Sequence, residues 1–393
     1  MNNKRQNEAW INLELAGIRK AGLDRHLFPY PVPGGRIRVG GKTMLNFSSN
    51  DYLNLAGNPI VLAAAGEALR TVGAGAGASR LVTGTLFIHE ELERKLAAYK
   101  GYNAALVFGC GYMTNAGVIP AIAGRDDFVF VDRLAHASIL DAVILSRAKL
   151  IRFSHNDAGH LCDLLRRSAG KGRRLVVTES VFSMDGDVAP LRDICAVAVS
   201  HNAMIMIDEA HSTGVFGPGG SGCVSELGLQ SEVTVSMGTL SKALGGYGGF
   251  VACSGPFRNL LVNKARSFIF STALPPASVA SAIAAVDLIR NEPGMGGKLL
   301  RNAALFRNSL KKAGLNTGDS ASQIVPVMIG DNRRVVEVSK RLREQGIVAA
   351  AIRPPTVPEG TARLRLSVTL AHTAADLDRA AKAIASVISG DEC

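Results

Sequence analysis

Lys242 stands out in this sequence for its setting. It falls in Ser236-Met-Gly-Thr239-Leu-Ser-Lys242-Ala-Leu-Gly-Gly246, between an apolar run and a glycine cluster, with no other charge in the segment. A lysine so placed is either an ordinary solvent-facing side chain or an amine tuned by its surroundings for nucleophilic work. Upstream, Ile205-Met-Ile-Asp208 reads as a buried strand ending in a carboxylate, with His211 three residues on. A strand-end Asp followed by an isolated Lys is the pairing that pyridoxal phosphate requires. The lysine joins the aldehyde as a Schiff base, and the carboxylate keeps the pyridine nitrogen protonated so that the ring accepts electrons. Thr239 puts a hydroxyl within reach of the phosphate. Phe108-Gly-Cys-Gly111-Tyr112 leaves an apolar run and enters a helix, offering backbone N–H groups to an anion.

Three other patterns fail on context. Gly73-Ala-Gly75-Ala-Gly-Ala78 fits the dinucleotide fingerprint, but that motif works only between a strand and a helix, and a helical stretch over 59–72 precedes it. Asp208-Glu-Ala-His211 spells a helicase box, yet the phosphate loop it needs is missing: the first glycine required ahead of Gly41-Lys42-Thr43 is Arg36. Ser168-Ala-Gly-Lys171 resembles an acyl-serine motif, but it lies in a polar loop with no Ser-Asp-Asn after it.

The elements that must position these residues show in the hydrophobic pattern. Short apolar runs at 104–108, 127–131, 150–153, 174–178, 203–207, 233–236 and 249–252 are mostly separated by helical stretches such as 158–168 and 191–201. Runs apolar on both faces and joined by helices predict a parallel sheet covered on two sides, with chemistry at the carboxyl ends of its strands. The tail differs. Strands at 324–329 and 362–368 with helices at 335–345 and 374–388 predict a smaller α+β unit, joined through a helical stretch near 277–310. The first 50 residues hold an amphipathic helix over 9–19 and a Pro/Gly-rich turn at 31–35. The expected division is an arm (1–50), a large domain (51–290) and a small C-terminal domain (291–393).

Composition narrows the function classes. The chain has 393 residues, 47% hydrophobic and 20% charged, which excludes disorder and coiled coil. No stretch approaches the ~18 apolar residues of a membrane span, and the polar segment 1–10 lacks a signal core, so a cytoplasmic location is expected. The six cysteines include no Cys-x-x-Cys pair, which fits reduced thiols and no metal site. The net charge of +11 is dispersed and aromatics make up 5%, a poor footprint for nucleic acid.

Over essentially its whole length the sequence resembles the α-oxoamine synthases, fold-type I pyridoxal-phosphate enzymes. The resemblance is carried by Asn46-Phe-Ser-Ser-Asn50-Asp-Tyr52, Gly77-Ala-Ser-Arg-Leu-Val-Thr-Gly84, Asp132-Arg-Leu-Ala-His136-Ala-Ser138, Thr178-Glu-Ser-Val-Phe-Ser183-Met-Asp-Gly-Asp187, Asp208-Glu-Ala-His211, Thr239-Leu-Ser-Lys242 and Ala351-Ile-Arg353-Pro-Pro-Thr356. It implies an α/β fold with a mostly parallel large-domain sheet and a smaller α+β C-terminal domain. It also implies that Lys242 carries the cofactor and serves as base, that Asp208 holds the pyridinium and His211 the phenolic oxygen, and that Ser183 lies at the ring. Gly111, Tyr112 and Thr239 would hold the phosphate, with Thr272 from a second subunit of a homodimer. His136 would stack on the ring and meet substrate. Arg353, Thr356 and Arg25, the last in a weakly patterned helix, would contact substrate. The implied reaction is a decarboxylating condensation of L-alanine with a pimeloyl thioester of CoA or a carrier protein. A sister reaction of glycine with acetyl-CoA or succinyl-CoA, aminotransfer, and an inactive cofactor-binding protein of the same fold are the alternatives. Tyr112, where relatives often have Phe, and Ser180 are the departures; Cys110 has no assigned role.

Overall fold

The computed structural model describes residues 2–31, 34–168 and 172–390. Val32 and Pro33 of the expected 31–35 turn, Lys171 of the Ser-x-x-Lys segment, and Cys393 lie outside the described residues.

The helix Asn2–Lys20 extends the predicted one at both ends. It stops where Gly22 takes a positive φ of 66° and the N–H groups of Gly22 and Leu23 turn back to the carbonyls of Arg19 and Ile18. This is a glycine-based helix stop. Arg25, expected in a weakly patterned helix, therefore lies in irregular chain beyond the helix end.

A hairpin follows, β1 (Arg36–Val39) with β2 (Lys42–Asn46). Then come β3 (Ala104–Phe108), β4 (Phe128–Asp132), β5 (Lys149–Phe153), β6 (Arg174–Glu179), β7 (Met204–Asp208), β8 (Val235–Thr239) and β9 (Gly249–Cys253). These seven strands form one sheet in the order β3-β9-β8-β7-β6-β4-β5. Every predicted apolar run between 104 and 252 is a strand, with ends moved by up to three residues. Alternate residues pack on opposite faces. Phe130, Val176, Ile205 and Ile207 belong to one buried cluster, while Val129, Val131, Val177 and Met206 belong to another. Each fully buried apolar side chain of this kind contributes about 1.5–3 kcal/mol.

The sheet is parallel except at β9, which runs antiparallel to both neighbours. Where a helix links two strands, as between β6 and β7, they come out parallel; β8 and β9 are joined instead by residues 240–248, which hold no helix. Lys242 is in that loop.

The tail contains β10 (Ile324–Gly330), β11 (Ile347–Val348), β12 (Ala350–Ile352) and β13 (Ala362–Ser367). β10, β13 and β12 form an antiparallel sheet, whereas β11 pairs in parallel with β2. The predicted helical stretch near 277–310 is two helices, Pro276–Asn291 and Met295–Lys312, broken at Glu292-Pro293-Gly294. Among the described residues no helix is long and apolar enough to cross a membrane.

Candidate active site

The pairings Glu179↔Asp208 and Asp208↔Met237 bring the carboxyl ends of β6, β7 and β8 level. Asp208 is 5% exposed there. Its Oδ2 accepts from Asn115 Nδ2 at 3.0 Å and its Oδ1 from the Ala210 N–H at 2.9 Å. It forms no ion pair among the described residues. A buried carboxylate with hydrogen bonds but no directly bonded counter-charge suits a cationic ligand group. Beside it, burial and then Asp208 push the Glu179 carboxyl well above the usual range, and its Oε1 accepts the His136 N–H at 2.7 Å.

Lys242 Nζ lies 2.7 Å from His211 Nε2. Burial pulls this lysine down to about 8, with Asp208 and Glu179 opposing the shift and Arg365 aiding it. Burial, then the nearby Lys242 and Arg365, also hold His211 well below the usual imidazole value. His211 Nδ1 meets Tyr52 Oη at 2.7 Å, and Tyr52 donates to Asn50 Oδ1 at 3.2 Å. Arg365 binds the far end of this chain, donating to Asn50 Oδ1 at 3.0 Å and to the Ser183 carbonyl at 2.5 Å. Gln323 Nε2 donates to the His211 carbonyl at 2.8 Å.

The helix Gly111–Ile122 starts where β3 ends, with Cys110 as its cap. Cys110 Sγ accepts the Met113 N–H and the Cys110 carbonyl accepts the Thr114 N–H, whereas the N–H groups of Gly111 and Tyr112 have no partner among the described residues. Thr239 faces this start: a Cβ built on Gly111 would lie 3.9 Å from Thr239 Oγ1. That hydroxyl donates to the Gly248 carbonyl at 2.9 Å. The Tyr112 phenol points elsewhere, donating to Asp141. Thr272 bridges to Ser79 and shares a narrow pocket with Gly109 and Arg80.

His136, Ser183 and Thr356 line one crevice of about 550 Å³, together with Arg133, Arg152 and Phe182. His136 caps the helix Ala137–Ser146, its Nδ1 within 2.8 Å of Ser138 Oγ. The two arginines expected to meet substrate do not line this crevice. Arg353 donates to the carbonyls of Gly22 and Asp24, and Arg25 donates to the Pro354 carbonyl at 3.3 Å. Arg353 thus ties the end of the arm to the turn that carries Thr356.

Arg365, Asn115 and Gln323 were missed by sequence reasoning. Arg365 had a signal: β13 is buried at all six positions, yet alternates arginine with aliphatic residues. Asn115 is one turn into an apolar helix, also a legible oddity. Gln323 gave none. Asn50, Tyr52 and Glu179 lay inside matched motifs without an assigned role.

The fold and the site define a pyridoxal-phosphate enzyme of fold type I, and residues 42–384 match the aminotransferase class I and II family, to which the chain belongs. It is 48% identical over 380 residues to an 8-amino-7-oxononanoate synthase of Anaeromyxobacter dehalogenans, covering 96% of this chain and 95% of that one. It is 47% identical over 377 residues to the synthase of that name from Geobacter sulfurreducens, covering 95% and 96%. Among solved structures, a serine palmitoyltransferase from S. paucimobilis with bound PLP–myriocin superposes with a TM-score of 0.92 at 32% identity, covering 98% of both chains. These relatives make the protein a pyridoxal-phosphate-dependent acyltransferase. The residues present fit that cofactor: an amine for the aldehyde, a buried carboxylate with no directly bonded counter-charge for the ring nitrogen, and two N–H groups at a helix start without partners among the described residues for the phosphate.

Proposed function

We propose that this enzyme condenses L-alanine with a pimeloyl thioester, releasing the thiol and CO₂ and forming 8-amino-7-oxononanoate for biotin synthesis. The observation that carries this reading is the Lys242 amine, held by a neutral imidazole beside a buried carboxylate. Pyridoxal phosphate, when bound, supplies the electron sink that makes the amino acid's Cα–H acidic. Lys242 binds the cofactor and then takes that proton, its ammonium form disfavoured by burial. Asp208 would keep the ring nitrogen charged, and His211 would sit beside the phenolic oxygen. Gly111, Tyr112 and Thr239 hold the phosphate. His136 and Ser183 face the reacting groups from the crevice wall, and Thr356 lines its outer part. Arg353 and Arg25 serve the carboxylates of the two substrates once the arm contacts they now make are exchanged for substrate.

The active form is a homodimer in which Thr272 completes the partner's phosphate site. Exposed Leu81, Val82, Phe87 and Phe270 flank the Ser79–Thr272 bridge and support a covered surface there. A monomeric species with full activity in light scattering contradicts this. The deciding experiment crosses L-alanine, glycine and L-serine with acetyl-, succinyl-, pimeloyl- and palmitoyl-CoA and pimeloyl-carrier protein. Thiol release and product mass are read together. Turnover with glycine and a short acyl donor, and none with L-alanine, overturns the assignment in favour of a sister synthase.

A further inference from the structure

Behind the crevice, His155 sits between two carboxylates. Its Nδ1 is 2.9 Å from Asp132 Oδ1 and its Nε2 is 2.8 Å from Asp187 Oδ2. Those carboxylates are 0% and 10% exposed. A neutral imidazole has one N–H and one lone pair, so either tautomer would aim a lone pair at a carboxylate oxygen. Only the doubly protonated ring donates to both. Burial opposes that charge, and the two carboxylates overcome it, raising the imidazole to about 10.

The two ends of this bridge belong to the two walls of the crevice. Asp132 ends β4 and shapes the step to His136: its Oδ1 also accepts the Leu134 N–H at 2.8 Å, and its carbonyl accepts the Ala135 N–H at 3.0 Å. Asp187 closes the turn that presents Ser183, its carbonyl accepting the Phe182 N–H at 3.1 Å. Inside that turn Gly186 takes a positive φ of 69°, and a Cβ there would strike the Ile324 carbonyl at 2.0 Å. Phe182, next to Ser183, meets the His155 ring edge-on with centroids 4.4 Å apart. Asn156 doubles the bridge, its N–H on Asp132 Oδ2 at 2.9 Å and its Nδ2 on Asp187 Oδ2 at 2.7 Å. From the opposite side, Arg365 and Arg363 hold the same turn at the Ser183 carbonyl and at Asp185. His155 itself does not line the crevice.

We propose that His155 is a positioning residue: as an imidazolium clamped between Asp132 and Asp187, it fixes the spacing of the two walls that carry His136 and Ser183. It touches neither cofactor nor substrate. The catalytic consequence rests on the proposed roles of His136 and Ser183, while the charge state of His155 stands independently of them.

Two measurements test this on the cofactor-loaded enzyme. In ¹⁵N-histidine-labelled protein at pH 8, the ring signals that vanish in His155→Gln should show both nitrogens protonated; a neutral-tautomer pattern overturns the clamp. In His155→Gln, cofactor loading should persist while its visible circular dichroism changes. The kcat should fall roughly 10- to 100-fold, the order expected when reacting groups are displaced by about 1 Å. KM for the amino acid should hold, and His155→Lys should recover part of the rate. A folded, fully loaded His155→Gln enzyme with wild-type kcat and unchanged dichroism sinks the proposal. If that variant does not fold, Asp187→Asn takes its place with the same readouts, and wild-type behaviour there has the same meaning. Wild-type enzyme that is inactive with L-alanine and a pimeloyl thioester, yet shows the doubly protonated ring, overturns the functional reading and leaves the clamp standing.

Discussion

Lys242 Nζ and His211 Nε2 are 2.7 Å apart, and the imidazole between Lys242 and Tyr52 has one proton to give. A neutral His211 that accepts from the lysine at Nε2 must donate from Nδ1 to Tyr52 Oη, which in turn donates its O–H to Asn50 Oδ1. The lysine therefore meets a lone pair rather than a second positive charge, and its free amine is kept close by.

The first consequence concerns pH. Lys242 titrates near 8 in the folded protein against an ordinary lysine value near 10.5. Between those values the unfolded chain holds more protons than the native one, so the stability of the cofactor-free protein should rise with pH across that window. Denaturant melts at steps from pH 7.5 to 10.5 check the slope. In Lys242→Met the rise should flatten, and that variant should also lose the cofactor's lysine-bound absorbance.

Replacing Asp208 with Asn leaves one acceptor oxygen for the Asn115 amide and the Ala210 N–H, and removes the charge proposed to face the ring nitrogen. Leaving one partner of a buried pair uncompensated costs about 3–5 kcal/mol. On that scale, kcat should drop roughly 10²- to 10⁴-fold. Cα-proton exchange from L-alanine in D₂O, followed by NMR, isolates the step affected.

One residue behind the site, Glu209 forms a fully buried pair with Lys100, at 0% and 1% side-chain exposure, with Oε2 and Nζ 2.5 Å apart. Glu209 also accepts from Ser236 Oγ at 2.7 Å and the Val224 N–H at 2.9 Å. Lys100→Met should destabilise the protein by about 3–5 kcal/mol. The double variant Lys100→Met/Glu209→Gln should regain most of that, because no charge is then stranded. Thermal melts of the three proteins form the comparison.

Arg365 is the joint between the C-terminal strand β13 and the crevice, through Ser183, Asn50 and Tyr52. Hydrogen bonds to a charged group are worth about 1.5–3 kcal/mol each. Lysine cannot reproduce the fork, so Arg365→Lys should lower kcat roughly tenfold or more while leaving cofactor affinity nearly intact. Spectroscopic titration with the cofactor, beside steady-state rates, separates the two effects.

Much of this architecture was legible because it is local. The run Ile205–Asp208 shows a buried strand with a carboxylate at its end, and a helix stop at Gly22 is a one-residue signal, though the weak pattern around Arg25 beyond it still predicts helix. Lys242 was recognisable because an apolar segment rarely carries one charge without a purpose. The antiparallel turn of β9 was not legible, since it follows from what residues 240–248 fail to form. Arg353 illustrates a further limit. Its sequence context resembles a carboxylate clamp, but here its guanidinium donates to backbone carbonyls of Gly22 and Asp24, and backbone carbonyls carry no side-chain signature. Arg365 and Gln323 reach the site only through tertiary contacts, Arg365 across 315 residues to Asn50 and Gln323 across 112 to His211.

Those separations set an order of events during synthesis. The ribosome delivers β2 well before its parallel neighbour β11, and Arg365 follows β11. The nascent chain can assemble Lys242, His211 and Asp208 while the grip on Ser183 and Asn50 is still absent. Cofactor capture on stalled chains should therefore precede turnover, which waits for the strand that carries Arg365.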